Sequence, residues 1–521
     1  MRTPPEALLD LAADVLGRAG RILPAEAADS PFITLGGTLE QAMRLQARAE
    51  ERHRLCLDLA LLLGPAPLAE VLALAAPVPA AVPERPSAHR CGPALPEQRA
   101  ALSPGRPARA AYRVLSAELT GPLDMRALRT ALEALGARHE GLRTVFTPSA
   151  TGPVRRVLAG CPVPLVVREP VAVPGPGPEA VAAVHAGLAA QVTELAGRPG
   201  RPPLAFVLTP LGPGRRLLSF LYHAAVADAW SAALVWQELL SGYGRTPAFA
   251  AAPGPDAVAR RARMLRRSGA LRALTAERAG QLRDVPARPV RREAFDFRGE
   301  RLAFGIDEEL RDAVEATARR AGVPHSTVVL GAWVLALGRR ASTDRLLVDM
   351  EMPVRPTAAL LRTVAPCTAT LPVRCAVEPT ADYFLRSLAC AFSEALGYAE
   401  VDAAALSQEL GLSAGSSRVA FAAHDELLPA LVRTGALTAR FHHGHLGGVT
   451  AEASLTVLRW RERPLLALDF ATSALSRPEA VRLAAELRTT LRHLAHSRPW
   501  SLVEDLVPAG VAGGVWVGAV Q

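Results

Sequence analysis

The chain has 521 residues and contains no lysine and no asparagine. A Walker-type phosphate loop needs a lysine beside its glycines, so Gly36-Gly37 and Gly447-Gly448 are not phosphate loops. Alanine, arginine, proline, glycine and leucine abound instead, the imprint of a GC-rich coding sequence and of a high-GC bacterium. The net charge of +9 is carried by arginines spread along the chain. Their densest cluster, R-R-A-R-M-L-R-R at 260–267, alternates with apolar residues at helical spacing, which predicts a solvated helix face. No nucleic-acid-binding motif accompanies it, so no nucleic-acid partner is expected. Cys56, Cys91, Cys161, Cys367, Cys375 and Cys390 show neither paired metal spacing nor a disulfide framework, and they read as reduced, mostly buried thiols of a cytoplasmic protein. The N-terminus lacks the uninterrupted apolar core of a signal peptide. The Leu/Ala-rich stretch 57–83 is broken by Asp58, Gly64, Glu70 and several prolines, so no membrane span is expected. No Rossmann fingerprint and no Gly-x-Ser-x-Gly elbow stands out, which leaves nucleotide-cofactor and serine-hydrolase chemistry without support.

What is present points to a globular protein. The length predicts two to four compact units, and a hydrophobic share of 50% is enough to give them cores. The pattern of the chain alone predicts a mixed α/β fold. A small helical bundle is expected over 1–78 and a Pro-rich, extended linker over 79–92. Two larger units follow at 93–290 and 291–508, with a loop at 170–178, a crossing between units at 286–297 and a Gly-rich loose tail at 509–521.

The richest stretch for function is F-L-Y-H-A-A-V-A-D-A-W-S at 220–231. It resembles the active-site motif H-H-x-x-x-D-G of nonribosomal peptide synthetase condensation domains, usually followed by Trp-Ser. His223 falls on the first histidine, Asp228 on the aspartate, and Trp230 and Ser231 on the tail. The second histidine, to which the family's chemistry is assigned, falls on Ala224, and the glycine falls on Ala229. A methyl group accepts no proton, whereas a positioned acid–base group contributes about 10²–10⁴-fold to rate. Residues 138–146, R-H-E-G-L-R-T-V-F, match the family pattern R-H-E-x-L-R-T-x-F in full and bring in Arg138, His139 and Arg143. They follow a strand end, a turn and an amphipathic helix at 119–135, with Met125, Leu128, Leu132 and Leu135 at helical spacing. Residues 322–339 resemble the buried helix that opens the family's second lobe. Residues 363–374 keep Thr370, Leu371, Pro372 and Arg374 of the pattern I-G-x-F-V-N-T-L-P-L-R, with Ala369 in place of Asn. Residues 465–476 look like a late strand and turn. The resemblance spans roughly 93–508 and implies a V-shaped pair of chloramphenicol-acetyltransferase-like lobes with a tunnel between them.

The N-terminal region resembles a second family. P-F-I-T-L-G-G-T-L-E-Q-A-M-R-L at 31–45 is similar to the carrier-protein signature around the serine that bears phosphopantetheine. Leu39 stands at that serine position, so no phosphopantetheine is expected there, and the adjacent Thr38 reads as a helix cap. A helix over 6–19 and a closing helix over 67–75 complete the expected all-α bundle.

For each site residue two readings stand. His223 is either a substitute base or a structural histidine, and a shift of one residue swings a side chain away from where its neighbour pointed. Asp228 is expected to sit in a salt bridge that shapes the site, with Arg143 or Arg374 as the arginine. His139 reads as architectural, and Trp230 and Trp236 as core. His442, His443 and His445 form the one histidine cluster; it reads as a metal site or a flexible surface loop, and the loop is favoured because no Cys, Asp or Glu stands near before Glu452. The leading expectation is a protein of nonribosomal peptide biosynthesis with an impaired catalytic motif, binding carrier-held intermediates, synthetase modules or tailoring enzymes. The alternative is an active condensation-type acyltransferase that forms an amide or ester from a carrier-bound thioester, since positioning alone can supply effective molarities of roughly 10⁵–10⁸ M.

Overall fold

Near-continuous apolar runs build the strands at the centre of each half. The computed structural model describes residues 4–17, 28–78, 91–103, 105–170, 177–198, 200–245, 252–254, 258, 269–283, 295–411, 419–424 and 427–506. The expected linker, the loop at 170–178, the arginine cluster at 260–267, the crossing at 286–297 and the tail lie wholly or mostly outside the described residues.

In the first lobe, β1 (Tyr112–Thr120), β2 (Leu165–Val167), β3 (Leu204–Gly212) and β4 (Arg215–His223) belong to a six-stranded sheet. β1 and β4 are antiparallel, with Tyr112 opposite His223 and Ser116 opposite Ser219. The helix α5 (Met125–Arg138) starts where Asp124 accepts hydrogen bonds from the backbone N–H groups of Arg126 and Ala127. It buries Leu128, Leu132 and Leu135, while Met125 is only partly buried. The helix α6 (Pro178–Gly187) lies farther along, and α7 (Ala229–Gly242) follows β4 directly and carries the buried Trp236 into the core.

The second lobe holds β5 (Gly299–Gly305), β6 (Arg345–Pro353), β7 (Thr368–Ala376) and β8 (Val419–Ala423). A hairpin of β9 (Leu431–Thr434) and β10 (Leu437–His443) comes next, then β11 (Ala453–Arg459) and β12 (Leu465–Ala471). Its sheet runs β5-β12-β11-β8-β6-β7, with β6, β8 and β11 parallel at the centre. Around it pack α8 (Glu308–Ala321), α9 (His325–Ala341), α10 (Ala381–Leu396) and α11 (Arg477–Ala495). Every residue of α9 from Thr327 to Gly338 is buried, which is why that segment has no polar face in the sequence.

The β9–β10 hairpin does not join its own lobe. It extends the first lobe's sheet, which reads β9-β10-β1-β4-β3-β2, with His442 opposite Ser116 and Phe441 opposite Ala117. The division at 290/291 therefore separates the lobes along the chain but not in space.

The N-terminal region is helical, with α1 (Pro4–Val15), α2 (Leu39–His53), α3 (Leu59–Leu62) and α4 (Leu68–Ala73). It packs on the second lobe. Gln46 Nε2 donates to Pro356 O at 3.2 Å, Ala358 N donates to Glu50 Oε2 at 2.8 Å, and Ser393 Oγ donates to Ala60 O at 2.6 Å. Its buried leucines, among them Leu8, Leu45 and Leu72, form one continuous core with Trp333 and Phe384 of the second lobe. No single helix among the described residues is long and apolar enough to cross a membrane. All six cysteines are free, but Cys56, Cys91 and Cys390 are exposed, so burial holds for only part of the set.

Candidate functional site

The sequence motif lies where β4 ends and α7 begins. The chain leaves the sheet at His223, turns through 224–227, and starts the helix at Asp228. The turn is held by Ala224 N donating to Ala111 O at 2.8 Å and Val226 N donating to His223 O at 2.9 Å. Ala225 N donates to His223 Nδ1 at 3.0 Å, so the neutral ring carries its proton on Nε2. The Tyr112 ring stands edge-on to His223 with centroids 5.0 Å apart. Burial, with Arg113 and Arg106 nearby, pushes the imidazole down to about 4. At neutral pH this ring is uncharged and its one lone pair is occupied by a backbone N–H. Ala224, half-buried, adds only a methyl group.

Asp228 does far more than cap the helix. Its Oδ1 accepts from Ser231 N at 2.8 Å and its Oδ2 accepts from Cys367 N at 2.9 Å. Arg355 Nη2 lies 2.8 Å from Oδ1 and 3.0 Å from Oδ2. Burial alone drives this carboxyl upward, but Arg355 and the hydrogen bonds from Ser231 and Cys367 outweigh it and hold the group below the usual carboxylate range. The arginine is wholly buried, and its Nη1 donates to Leu360 O at 2.6 Å and Thr363 O at 2.7 Å. Ser231 Oγ is enclosed 2.7 Å from Asp228 Oδ1 and 2.9 Å from Ala365 O, so it is not free to attack a substrate. Trp230 Nε1 donates across the lobes to Leu361 O at 3.1 Å.

Neither arginine expected to pair with Asp228 does so. Arg143 is buried elsewhere, with Nε donating to Gly136 O at 2.7 Å and Nη1 to Ala159 O at 3.2 Å. Arg374 is turned outward on β7 between the buried Val373 and Cys375, as strand alternation requires. The partner, Arg355, is the one arginine between Arg345 and Arg362, a signal that the need of a buried aspartate for a cation could have exposed.

Arg138 and His139 meet at the far end of α7. His139 Nε2 lies 2.7 Å from Glu238 Oε2, and Arg138 Nε lies 3.0 Å from the same oxygen, so the R-H-E segment locks α5 onto α7. The histidine cluster is not a surface loop: His442 and His443 end β10, and their side chains alternate to opposite faces of the sheet. His442 Nε2 lies 3.4 Å from Glu118 Oε2, while burial pushes His443 down to about 3 and His445 to about 4. Among the described residues no group of three or more His, Cys, Asp or Glu could hold a metal ion. Arg301 makes a second tie between the lobes. It is bidentate to Asp469 at 2.6 and 2.7 Å and donates to Gly444 O at 3.0 Å.

Two further groups were not legible in the sequence. Gln98 Nε2 donates to Ala225 O at 3.0 Å, which fastens the segment at 96–101 to the motif turn. Beside it, Glu97 Oε2 is buried without a hydrogen-bond partner, and burial, with smaller upward pushes from Asp402 and Glu400, raises this carboxyl to about 7. On the N-terminal bundle, Thr38 caps α2 by accepting from Gln41 N at 3.3 Å, and its own N–H donates to Gln41 Oε1 at 3.0 Å. Leu39, the first helical residue, lines a cavity between the bundle and the second lobe.

Comparison with known proteins agrees with this architecture. The family model described as "Condensation domain" matches residues 106–422, more than half of the chain. A probable non-canonical nonribosomal peptide synthetase, CymA, of Salinispora arenicola is 30% identical over 230 residues, covering 40% of this chain and 3% of that protein. The phosphinothricin tripeptide synthetase PhsC of Streptomyces viridochromogenes is 29% identical over 295 residues, covering 53% of this chain and 26% of that protein. The chain thus spans only a minor part of these curated relatives. Among solved structures, the first condensation domain of the CDA synthetase aligns with a TM-score of 0.68 at 21% identity, over 80% of this chain and 98% of that one. The X-domain from teicoplanin biosynthesis aligns with a TM-score of 0.66 at 21% identity, over 81% and 98%. These likenesses establish the fold of two acetyltransferase-like lobes.

Proposed function

The chain belongs to the condensation-domain family, and we propose that it serves nonribosomal peptide biosynthesis as a binding protein rather than as a catalyst. The observation that carries this reading is the state of the motif turn. Ala224 has no acid–base group, the lone pair of His223 is occupied by Ala225 N–H, and Ser231 is saturated by Asp228 and Ala365. No group in the motif can take a proton from an attacking amine without first breaking a buried hydrogen bond. The Asp228–Arg355 tie remains, and it keeps the two lobes in a fixed relation. A site preserved in frame and emptied of its base fits the holding of a carrier-bound intermediate, or the recruitment of synthetase modules or tailoring enzymes to it. The N-terminal bundle, with leucine where a carrier has its serine, belongs to this reading as a carrier-like unit without an arm. So does a cytoplasmic location, which agrees with six unpaired cysteines.

The test is isothermal titration with carrier proteins loaded with aminoacyl-phosphopantetheine, followed by mass spectrometry of the mixture after addition of an acceptor amine. Binding without an amide product is expected; an amide product formed by the native chain overturns the reading.

One observation favours the acyltransferase alternative. Glu97 has a carboxyl raised to about 7 beside the residue that contacts Ala225, and a group poised near the working pH is what general-base catalysis requires. On that reading Glu97, not His223, takes the proton of the amine or alcohol, and Glu97→Gln removes all turnover.

A further inference from the structure

The stretch from Arg106 to Arg113 runs along the seam between the two halves of the chain. Gly448 of the second half packs directly on it, and a Cβ there would collide with the Arg109 carbonyl. The same stretch holds the motif turn. Ala224 N donates to Ala111 O at 2.8 Å, and Tyr112 stands opposite His223. Arg113 follows Tyr112 on β1 and stands opposite Tyr222. Its Nη1 folds back to donate to Ala110 O at 2.8 Å and to Tyr112 O at 3.0 Å, which lays the guanidinium beside the turn. Arg106 enters from the loop before the short helix Ala108–Ala111.

Neither arginine forms an ion pair among the described residues, and the side chain of Arg106 makes no hydrogen bond. Arg106 Nε is closed off from water. Burial and the charge of Arg113 push this guanidinium down, and no carboxylate acts in the other direction. The same two arginines are the only charges that act on His223. The acids of the seam are engaged elsewhere. Asp469 feels Arg113, but Arg301 holds both of its oxygens, and Asp228 is held by Arg355. Glu351, whose charge reaches Tyr222, pairs with neither Arg106 nor Arg113. His223 adds a third donor: Ala225 N–H takes its Nδ1, so its Nε2 carries the proton. Two guanidiniums and an imidazole N–H are thus neighbours with no acceptor among them. Withdrawing such cations from water is costly unless a ligand brings the negative group. The planar fork of arginine matches a carboxylate.

We propose that Arg106, Arg113 and the Nε2–H of His223 form a binding site for a carboxylate at the motif turn, so that the chain takes acidic acyl groups in preference to neutral ones. That the carboxylate belongs to an acyl group rests on the reading that the lobes hold carrier-bound intermediates; the anion site itself rests on the three side chains. A pantetheine arm carries its phosphate at the end opposite its thioester, so on that reading the acyl group, and not the phosphate, meets the turn. His223 then serves as a hydrogen-bond donor and not as a base.

The test uses the full chain and isothermal titration with glutaryl-pantetheine and hexanoyl-pantetheine, thioesters of similar length of which only the first ends in a carboxylate. The glutaryl thioester is expected to bind about tenfold or more tightly than the hexanoyl one. Arg106→Gln and Arg113→Gln are each expected to remove that preference and to leave hexanoyl binding unchanged. Arg106→Gln breaks no hydrogen bond and removes an uncompensated cation, so it is expected to melt no lower than the native chain; it decides the matter should Arg113→Gln fail to fold. Equal binding of the two thioesters overturns the carboxylate site and leaves the holding of acyl groups intact, as does a glutaryl preference unchanged in Arg106→Gln. If neither thioester binds, the holding of acyl groups fails, and sodium glutarate and sodium phosphate decide the site by themselves. Glutarate binding that is lost in Arg106→Gln supports it; no glutarate binding, or phosphate bound more tightly than glutarate, overturns it.

Discussion

Arg355 Nη2 lies 2.8 Å from Asp228 Oδ1, and this contact ties the motif at the head of α7 to the loop that follows β6 in the other lobe. Both side chains are almost fully withdrawn from water, with 0% and 6% of their side-chain surface exposed. Breaking such a pair from one side leaves a buried charge without its partner. Asp228→Ala or Arg355→Ala is therefore expected to destabilise the fold by about 3–5 kcal/mol. The double variant is expected to lose clearly less than the sum of the two. Urea unfolding of the native chain and the three variants measures both effects; single variants within about 0.5 kcal/mol of native would contradict the structural role.

Stability is expected to fall as the solution is acidified below about pH 6.5. There the buried histidines, four with His443 and His445, outweigh Glu97, whose raised carboxyl works in the opposite direction. His185 and His223 are buried and neutral, with burial as the main cause of values pushed down to about 3 and about 4. In the unfolded chain they titrate near 6.5. The folded values lie below the unfolded ones, so the unfolded state takes up protons first as pH falls. Their contribution is complete above about pH 6.5 and declines by about 1.4 kcal/mol per pH unit for each group until about pH 4. Asp228, held low by Arg355, adds a loss of its own only below about pH 4. Urea midpoints at several pH values between about 7.5 and 5 check this, and a flat profile over that range is the contrary result.

The parts legible in the sequence were those carried by contiguous residues. Asp124 before the apolar spacing of α5, the unbroken apolar run of α9, and R-H-E-G-L-R-T-V-F could each be read in place. What escaped was long-range pairing. Glu238 answers His139 from 99 residues away, and Arg355 answers Asp228 from 127 residues away, and local pattern carries no information about either. The β9–β10 hairpin was hidden for a different reason. F-H-H-G-H reads as a polar loop, yet residues up to His443 pair with β1 and burial pushes His443 and His445 toward the neutral form.

On the proposed reading, Leu39 is expected to leave the N-terminal bundle inert toward phosphopantetheinyl transferases, and its position is expected to keep it so. Thr38 is occupied as the cap of α2, and residue 39 faces the second lobe. Intact-protein mass spectrometry after incubation with a promiscuous transferase and coenzyme A is expected to show no mass gain. Leu39→Ser is expected to gain little as well, because the transferase cannot reach a residue covered by the lobe. Full loading of Leu39→Ser would mean that the bundle undocks readily.

The bundle and the second lobe are expected to unfold together, since their buried residues form one core. Leu45→Ala, at a site with 0% exposure, is expected to destabilise the chain by about 2–5 kcal/mol and to lower the melting of the whole second lobe with it. Calorimetry that resolves an early, separate transition for the bundle alone is the opposite finding.

The most direct test of the account is a comparison of amide formation by the native chain, Ala224→His and Glu97→Gln, using loaded carrier thioesters and acceptor amines, with product followed by mass spectrometry. The account predicts that the native chain and Glu97→Gln stay at the uncatalysed rate, and that Ala224→His exceeds them by about 10²-fold or more for at least one pair of substrates. Native turnover well above the uncatalysed rate, lost in Glu97→Gln and not improved by Ala224→His, would show that the chain is an enzyme and that its base lies outside the motif.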